Sequence, residues 1–503
     1  MCARSYKLTA LFSCPARVIV FVSFALLLVC PFYAESKQKE TVRPLAEQEI
    51  KRKAIADRLD KAGLRFRTTA VTEQSRQMLK VPDHVKPTGP FTIAEAPPVV
   101  DFVIVPLEPR YFAPPIEKDG PVGLWSVWGQ GTYYPPTGKF YGSVGNHIYY
   151  DANIHIIEYD PATKSIRTSP NINTLLGRKV TDFGDGKIHG SLDFYKGDNM
   201  YFCTYWCRYP QPTDAQFDSG YEGGKILCYN ARTGKLTDID TPLKRASWPY
   251  HRLDRKRGLM FAVGALHEFI CYDINKRKLI WGGFLPKGMI WHDRNMLLDE
   301  ETGCVYSSNR DPSDPEVHII KYDPAKNEFS KMNSSMPKNA ATGKIDQMRA
   351  HTPRRSKEGW FLCSTAGGEL FKFWPDEDRI QDLGLCWPGD PKHLYTTSIA
   401  ISPDDKYVYY VPGAHGQGHN EGTPVIQLNT QTLERKVLAF LFPYFYNKYG
   451  YIASGTFSVE LDEKGERLFM LFNGAFNDFD PNGGDVFGDP ALFVLHIPES
   501  ERL

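Results

Sequence analysis

The sequence predicts an all-β fold, a seven-bladed β-propeller, and three observations support this prediction. A short pattern of apolar residues, an aromatic or apolar residue and a polar turn recurs seven times. The spacing between copies is similar to the length of one propeller blade, about 40–50 residues. Two further strand-like patterns precede each copy, so every unit contains at least three strands. The corresponding residue near the end of the strand in each copy is Tyr159, Tyr229, Tyr272, Tyr322, Phe373, Leu428 and His496.

Within each unit, the order of strands and turns is that of an antiparallel sheet. An inner strand and a second strand are joined by a short polar loop such as LDEETG or SPDDK, which indicates a hairpin. A third strand follows, and the better copies add a fourth, such as KLTDID or KLIWGG. The fifth unit is irregular and has AHTPRRS in place of the inner-strand pattern. A two-sheet sandwich would not explain seven copies of one pattern.

The two ends of the predicted domain, residues 99–503, are expected to pair in one blade. The last copy stops after its third strand at the C-terminus, and an apolar strand at residues 99–107 precedes the first blade. We expect this N-terminal strand to complete the last blade. Residues 35–98 precede the domain, with an amphipathic helix expected at 45–64 and an irregular Pro-rich linker at 67–98.

Residues 1–34 predict a cleaved signal peptide and therefore a secreted or periplasmic protein. The segment contains basic residues but no acidic residue before Glu35, and residues 18–30 are apolar apart from Ser23. Cleavage is expected after Ala34. Two alternatives remain open, namely an uncleaved membrane anchor and a lipoprotein site at Cys30.

Composition restricts the partners. Lys and Arg (60) balance Asp and Glu (59), which argues against nucleic acid or an anionic membrane as the main partner. We expect a monomer that binds a carbohydrate or another small extracellular ligand. The cysteines beyond the signal lie mostly in apolar strands, which favours buried thiols, although Cys203 and Cys207 could pair or bind metal.

The starts of the inner strands carry the candidate site, because inner strands line the central channel of a propeller. Histidines occur there in four successive blades. The residues at these starts are Lys187, His189, Trp248, Tyr250, His251, Arg252, Trp291, His292, Asp293, Arg294, Arg349, His351, Tyr395, Thr396, Thr397 and Thr456.

The repeats YDPATK, LDEETG and SPDDKYVYYVPG resemble those of the bacterial WD-like, quinoprotein-like and surface-antigen propeller superfamily, over about residues 99–503. This resemblance implies the fold but leaves the function open, because one fold supports many chemistries. Secreted propellers of this superfamily with histidines at the inner-strand starts are similar to polysaccharide lyases of the oligogalacturonate and ulvan types. That similarity implies a uronate-containing polymer as the substrate.

A uronate lyase needs a cation on the carboxylate, a base at C5 and an acid at the leaving oxygen. Arg252, Arg294 and Arg349 suit the first role. The other groups expected to act in catalysis are His189, Tyr250, His251, His292 and His351. Sugar contacts are expected from Trp248, Trp291 and from His415 in a Gly-rich loop that could fold over the face.

Two other functions stay open. His189, His251, His292 and His351 could hold Mn, Fe or Cu at the channel mouth, although their different positions relative to the hairpins argue against a common direction. The Asp- and Asn-rich segment 477–489 offers oxygen ligands for Ca²⁺, or forms a polar turn. Alternatively, the propeller is a non-catalytic extracellular binding module.

The export hypothesis predicts the N-terminus of the mature chain. Because the apolar run ends shortly before Ala34, the mature protein should begin near Glu35 and be recovered outside the cytoplasm. N-terminal sequencing of the protein from its native host tests this. Recovery of residues 1–30 in a membrane fraction would favour the anchor instead.

Overall fold

The computed structural model describes residues 64, 67–106, 125–146, 153–179, 182–206, 212–340, 342–476 and 486–502. The predicted signal peptide, nearly all of the predicted helix at 45–64 and most of the Asp-rich segment 477–489 lie outside the described residues. Within the described part, the strands form seven sheets of four or five strands and one two-stranded ribbon. The seven sheets are the blades of a β-propeller, which confirms the predicted fold.

Strands are numbered along the chain, and three of them precede blade 1. They are β1 (Val71–Gln74), β2 (Thr92–Ile93) and β3 (Val99–Ile104). Blade 1 contains β4 (Trp125–Ser126), β5 (Thr132–Tyr134), β6 (Lys139–Asn146), β7 (Asn153–Asp160) and β8 (Ser165–Thr168). Blade 2 contains β10 (Asp193–Phe194), β11 (Asn199–Cys203), β13 (Ile226–Asn230) and β14 (Leu236–Asp240), with a ribbon of β9 (Asp185–Lys187) and β12 (Tyr205–Trp206) beside it.

Blades 3 to 5 are the most regular, so the fifth unit, expected to be irregular, forms an ordinary four-stranded blade. Blade 3 contains β15 (Tyr250–Asp254), β16 (Leu259–Val263), β17 (Glu268–Asp273) and β18 (Lys278–Phe284). Blade 4 contains β19 (Leu297–Leu298), β20 (Val305–Ser308), β21 (His318–Asp323) and β22 (Glu328–Ser335). Blade 5 contains β23 (Met348–His351), β24 (Phe361–Thr365), β25 (Glu369–Trp374) and β26 (Arg379–Leu385).

Blades 6 and 7 each take strands from the N-terminal segment. Blade 6 contains β27 (Ala400–Ile401), β28 (Tyr407–Tyr410), β29 (Pro424–Asn429), β30 (Arg435–Phe440) and, at its edge, β2. Blade 7 contains β31 (Tyr451–Leu461), β32 (Arg467–Phe476), β33 (Ala491–His496), β3 and β1. Short α-helices lie in the connections at Ile172–Leu175, Asp214–Asp218 and Tyr444–Tyr449, and 3₁₀ turns at Arg76–Leu79, Pro391–His393, Gly418–Glu421 and Glu499–Glu501.

The recurring sequence pattern corresponds to the third strand of each blade. Its seven copies fall in β7, β13, β17, β21, β25, β29 and β33. The apolar residues of these strands pack between adjacent blades, and Tyr159, Tyr272 and Tyr322 are at most 1% exposed. At these three positions the aromatic residue before the turn fills the space between neighbouring sheets.

The ring is closed by the N-terminal strand, as predicted. β3 pairs antiparallel with β33, with Val99 opposite His496 and Ile104 opposite Ala491. β1 then covers the outer edge of β3, and β2 pairs in parallel with β30. Residues 67–98, expected to form an irregular linker, thus contribute two strands, because each finds an open sheet edge to pair with.

A carboxylate holds this closure together. Asp101 on β3 accepts hydrogen bonds from His496 Nε2 (2.9 Å), Lys164 Nζ (2.7 Å) and Thr72 Oγ1 (2.6 Å). Burial raises the pKa of Asp101, but these three hydrogen bonds outweigh burial and lower it to about 2. Blade 7 is therefore tied to the third-strand turn of blade 1, where Lys164 lies.

Two inner-strand histidines join adjacent blades. His251 Nε2 lies 2.7 Å from the carbonyl oxygen of Ser191, which precedes β10 in blade 2. His351 Nε2 lies 3.0 Å from the carbonyl oxygen of Met296, which precedes β19 in blade 4. Both rings are buried, at 0% and 4% exposure. Burial lowers the pKa of each histidine to about 4.

The six cysteines that the structure describes, Cys203, Cys228, Cys271, Cys304, Cys363 and Cys386, are all buried free thiols, as expected. Cys207 lies outside the described residues. No helix within the described ranges has both the length and the apolar composition needed to cross a bilayer.

Loss of the closing contact should destabilise the whole ring. Phe102 on β3 is 0% exposed, and its ring centroid lies 4.8 Å from that of Phe493 and 5.1 Å from that of Phe445. Phe102→Ala should therefore lower the free energy of unfolding by about 3–5 kcal/mol, measured by denaturant titration. Phe284→Ala is the control, since Phe284 is 67% exposed and should change it by less than about 0.5 kcal/mol. Equal effects of both substitutions would contradict the assigned closure.

Acidification should destabilise the propeller through the inner-strand histidines. Between pH 6.5 and pH 4 the unfolded chain binds protons on His251 and His351, whereas the folded chain does not. The free energy of unfolding should therefore decrease as the pH is lowered through this window, by up to about 1.4 kcal/mol per pH unit for each histidine. Denaturant titrations across the window measure the slope. It should be shallower in His251→Gln and His351→Gln, and an unchanged slope in both would refute the assignment.

Candidate functional site

Side chains from six of the seven blades meet where the inner strands begin. Together they form the channel-mouth cluster, which combines three basic residues and two histidines with five other aromatic rings. Its members are Trp128, Lys187, His189, Tyr205, Arg294, Arg349, Tyr395, His415, Phe457 and Phe487. Residues distant in the chain converge here because every inner strand begins at the same mouth.

Trp128 is the centre of the aromatic part of the cluster. Its ring centroid lies 5.1 Å from Phe457 and 5.5 Å from Phe487, both of blade 7. It lies 5.7 Å from His415 and is stacked on His189 at 6.2 Å. Phe457 is buried, whereas Trp128 and Phe487 are half-buried and His415 is exposed. The exposed ring edges can therefore contact a ligand that enters from solvent.

Lys187 occupies an unusual position for a lysine. Its Nζ lies 4.6 Å from the ring centroid of Trp128 and 4.8 Å from that of Tyr205, and the residue is only 7% exposed. No carboxylate in the described part of the chain lies within 4 Å of Nζ. Burial, reinforced by the positive charge of Arg294, holds the pKa of Lys187 well below its ordinary value.

Two arginines complete the positive side of the cluster. Arg349, on β23, is 2% exposed, and its Nη1 donates to the carbonyl oxygen of Arg294 (2.9 Å) while its Nε donates to the hydroxyl of Tyr395. Arg294 lies with its Cζ 5.6 Å from the centroid of Tyr205. Its Nε lies 3.4 Å from Asp293, which also binds Arg310 at 2.7 Å. One carboxylate charge is thus shared between two guanidinium groups.

His189 is a neutral imidazole inside this positive field. It is 3% exposed, and its Nδ1 has no hydrogen-bond partner among the described residues. Burial first, and then the charges of Arg294, Lys187 and Arg349, hold the pKa of His189 well below its ordinary value. The imidazole is therefore unprotonated at neutral pH and has a nitrogen lone pair, although the surrounding positive charge makes it a weaker base than an exposed histidine.

The four histidines predicted to form a metal cage do not come together. His251 and His351 are committed to carbonyl groups of neighbouring blades, and His292 is buried beside Asp293, where burial lowers its pKa to about 3. Only His189 belongs to the channel-mouth cluster. Across the described ranges, no group of three or more His, Cys, Asp or Glu side chains is arranged to hold a metal ion. The metal-cage prediction is therefore wrong for Mn, Fe or Cu, because the strand positions direct these rings apart.

Tyr250 and Arg252 lie on β15. Tyr250 is 1% exposed and packs against the apolar residues between blades 3 and 4, and Arg252 is 9% exposed. Neither the hydroxyl of Tyr250 nor Nε of Arg252 has a hydrogen-bond partner among the described residues. Tyr250 therefore packs between blades, and the catalytic roles expected for Tyr250 and Arg252 stay predictions.

Trp248 and Trp291 cannot stack on a sugar. Both are 0% exposed, and their indole N–H groups donate to the carbonyl oxygens of Gly224 and Asn295, each at 3.0 Å. The prediction that they contact substrate is wrong, because both indoles fill the space between blades. Trp128 and Tyr205 provide the half-buried rings instead.

The histidines in loops lie in different environments. His415 lies in the cluster as expected, whereas His419 is 3% exposed with its Nδ1 3.3 Å from Ser454 Oγ. His155 is buried, with its Nδ1 2.7 Å from the carbonyl oxygen of Ser169. His147 and most of the proposed Ca²⁺ segment, residues 477–485, lie outside the described residues.

Four members of the cluster were missed by the sequence analysis, namely Trp128, Tyr205, Phe457 and Phe487. Two of them carried a usable signal, because Trp128 and Phe457 lie in the inner-strand segments LWSVWGQ and FSVELDE. Tyr205 lies on the ribbon strand β12 and Phe487 in a loop before β33, and neither position follows from the repeat. Lys187 and Tyr395 were recognised at strand starts but without a role.

Comparison with known proteins gives no independent indication of function. No protein-family model matches the sequence, and no curated protein matches it either. The interpretation of the channel-mouth cluster therefore depends on its own chemistry.

Proposed function

We propose that this protein is an exported propeller that binds an acidic, uronate-type carbohydrate at the channel-mouth cluster and cleaves it by β-elimination. The observation that carries the proposal is that Arg294, Arg349 and Lys187 belong to one cluster, in which Trp128 and Tyr205 provide half-buried aromatic rings. Guanidinium groups bind carboxylates through charge-assisted hydrogen bonds. Aromatic rings favour the apolar faces of sugars.

The charge balance supports an anionic ligand. Arg294, Arg349 and Lys187 bring three basic side chains into the cluster, and Asp293 is shared between Arg294 (3.4 Å) and Arg310 (2.7 Å). Arg349 donates to two neutral oxygen atoms, the carbonyl of Arg294 and the hydroxyl of Tyr395. Burying a guanidinium among neutral acceptors costs free energy that an arriving carboxylate would recover. A neutral sugar would not recover it.

The same groups suit the elimination step. A carboxylate neutralised by Arg294 would make the C5 proton of a uronate more acidic. His189 is neutral and without a partner at Nδ1, so it suits the role of the base. Tyr395 accepts a hydrogen bond from Arg349, which leaves its own O–H to donate to the leaving oxygen.

The anion-binding role predicts a selective effect of Arg294→Met. This variant should weaken binding of a polygalacturonate oligomer at least about tenfold, because one charge-assisted contact is worth about 1.4 kcal/mol or more. Isothermal titration calorimetry measures the affinity. Arg379→Met is the matched control, since Arg379 also lies over an aromatic ring, Trp374, but at the outer edge of blade 5.

Neutral and acidic sugars separate the outcomes. Unchanged affinity in Arg294→Met, or equal binding of an uncharged glucan, would contradict the proposed carboxylate site. Cleavage is measured separately from the absorbance of the new C4–C5 double bond, which should be lost in His189→Ala. Binding without any such absorbance would replace the lyase by a non-catalytic binding module.

A further inference from the structure

The surroundings of the Lys187 amine favour a second kind of reaction, distinct from carbohydrate cleavage. Lys187 ends β9, which pairs with β12, so that Tyr205 lies directly opposite it in the ribbon. The Trp128 and Tyr205 ring centroids lie 4.6 Å and 4.8 Å from Nζ. The two rings and the strand pairing therefore restrict the position of the amine, which lies beside the half-buried rings of Trp128 and Tyr205.

Opposing effects decide whether this amine is charged. The two aromatic rings favour the ammonium form through cation–π attraction. Burial without a carboxylate partner disfavours it, and burial is the largest cause of the lowered pKa. Arg294 adds like-charge repulsion, since its Cζ lies 5.6 Å from the same Tyr205 ring. Burial and the charge of Arg294 together outweigh the cation–π attraction, which agrees with the lowered pKa of Lys187.

A desolvated lysine beside another cation is the arrangement that turns an amine into a nucleophile towards carbonyl groups. Two further groups fit such a reaction. Arg294 lies beside the same Tyr205 ring and can hold a carboxylate. His189, two residues after Lys187, is neutral, and its Nδ1 has no partner among the described residues.

We propose that Lys187 forms an imine with small α-keto acids, whose carboxylate is held by Arg294. In the first step the amine nitrogen attacks the keto carbon, and the π electron pair of the C=O bond moves to oxygen. His189 transfers the proton from nitrogen to that oxygen. The resulting carbinolamine then loses water, which leaves a C=N bond to Lys187 and requires no oxidant or reductant.

This inference does not depend on the proposed carbohydrate function. Imine formation needs Lys187 and a carbonyl compound, whereas uronate binding needs the arginines and the aromatic rings. The two proposals share Arg294, so the experiment must separate the amine from the guanidinium.

Reductive trapping tests the proposal directly. The full-length protein is incubated with pyruvate and then with sodium borohydride, and the labelled lysines are identified by peptide mass spectrometry. We expect the peptide that contains Lys187 to carry most of the label. Lys187→Arg should lose at least about nine-tenths of it, while Lys372→Arg should keep it. Lys372 is the matched control, since its Nζ also lies 4.6 Å from an aromatic ring, that of Trp360.

A second comparison tests the carboxylate contact. Arg294→Met should reduce labelling by pyruvate at least about tenfold but leave labelling by acetaldehyde, which lacks a carboxylate, nearly unchanged. Equal loss with both compounds would overturn the role of Arg294.

The wild-type peptide map decides the main point even if a variant fails to fold. A label spread over surface lysines, with Lys187 unmodified, would overturn the proposal. Failure of the uronate assays with intact trapping at Lys187 would count against the carbohydrate function alone, and the reverse result would count against the imine alone.

Discussion

The pairing of β3 with β33 is the contact on which the rest of the structure depends. It joins the first strand of the predicted domain to the last, and without it blade 7 would end in an open sheet edge. Asp101 adds a link from this pair to blade 1 through Lys164. Since six blades each contribute between one and three side chains to the channel mouth, the cluster exists only while the ring is closed.

The ring also explains how several basic groups can be gathered at one place. Arg349 is anchored by neutral oxygens of blades 4 and 6, and Arg294 by the shared carboxylate of Asp293. Lys187 is also buried among positive charges, and its amine gives up its proton more easily than that of an exposed lysine does. A site that stays positive and partly dry is suited to anions and to carbonyl chemistry, and less suited to metal ions.

Aromatic residues of the same type have two different functions in this fold. Trp248 and Trp291 precede inner strands and are held between blades by hydrogen bonds to carbonyl groups. Trp128 stands at a comparable place in blade 1, but its ring lies among side chains of blades 2, 6 and 7 and stays half-buried. The same distinction separates His251 and His351, which join blades, from His189, which faces the cluster.

The sequence by itself determined the propeller, the number of blades, the order of their strands and the strand that closes the ring. These features repeat, and a repeated pattern of apolar residues and turns reports local geometry directly. It also predicted a candidate site at the inner-strand starts, and it assigned roles to four members of the channel-mouth cluster, His189, Arg294, Arg349 and His415. Only the tertiary structure decided which side chains face the mouth, because a shift of one residue along a strand reverses the direction of a side chain. Lys187 contacts Tyr205 of the β9–β12 ribbon and Trp128 of blade 1. These segments do not correspond to each other in the repeat, so the repeat could not predict the contacts.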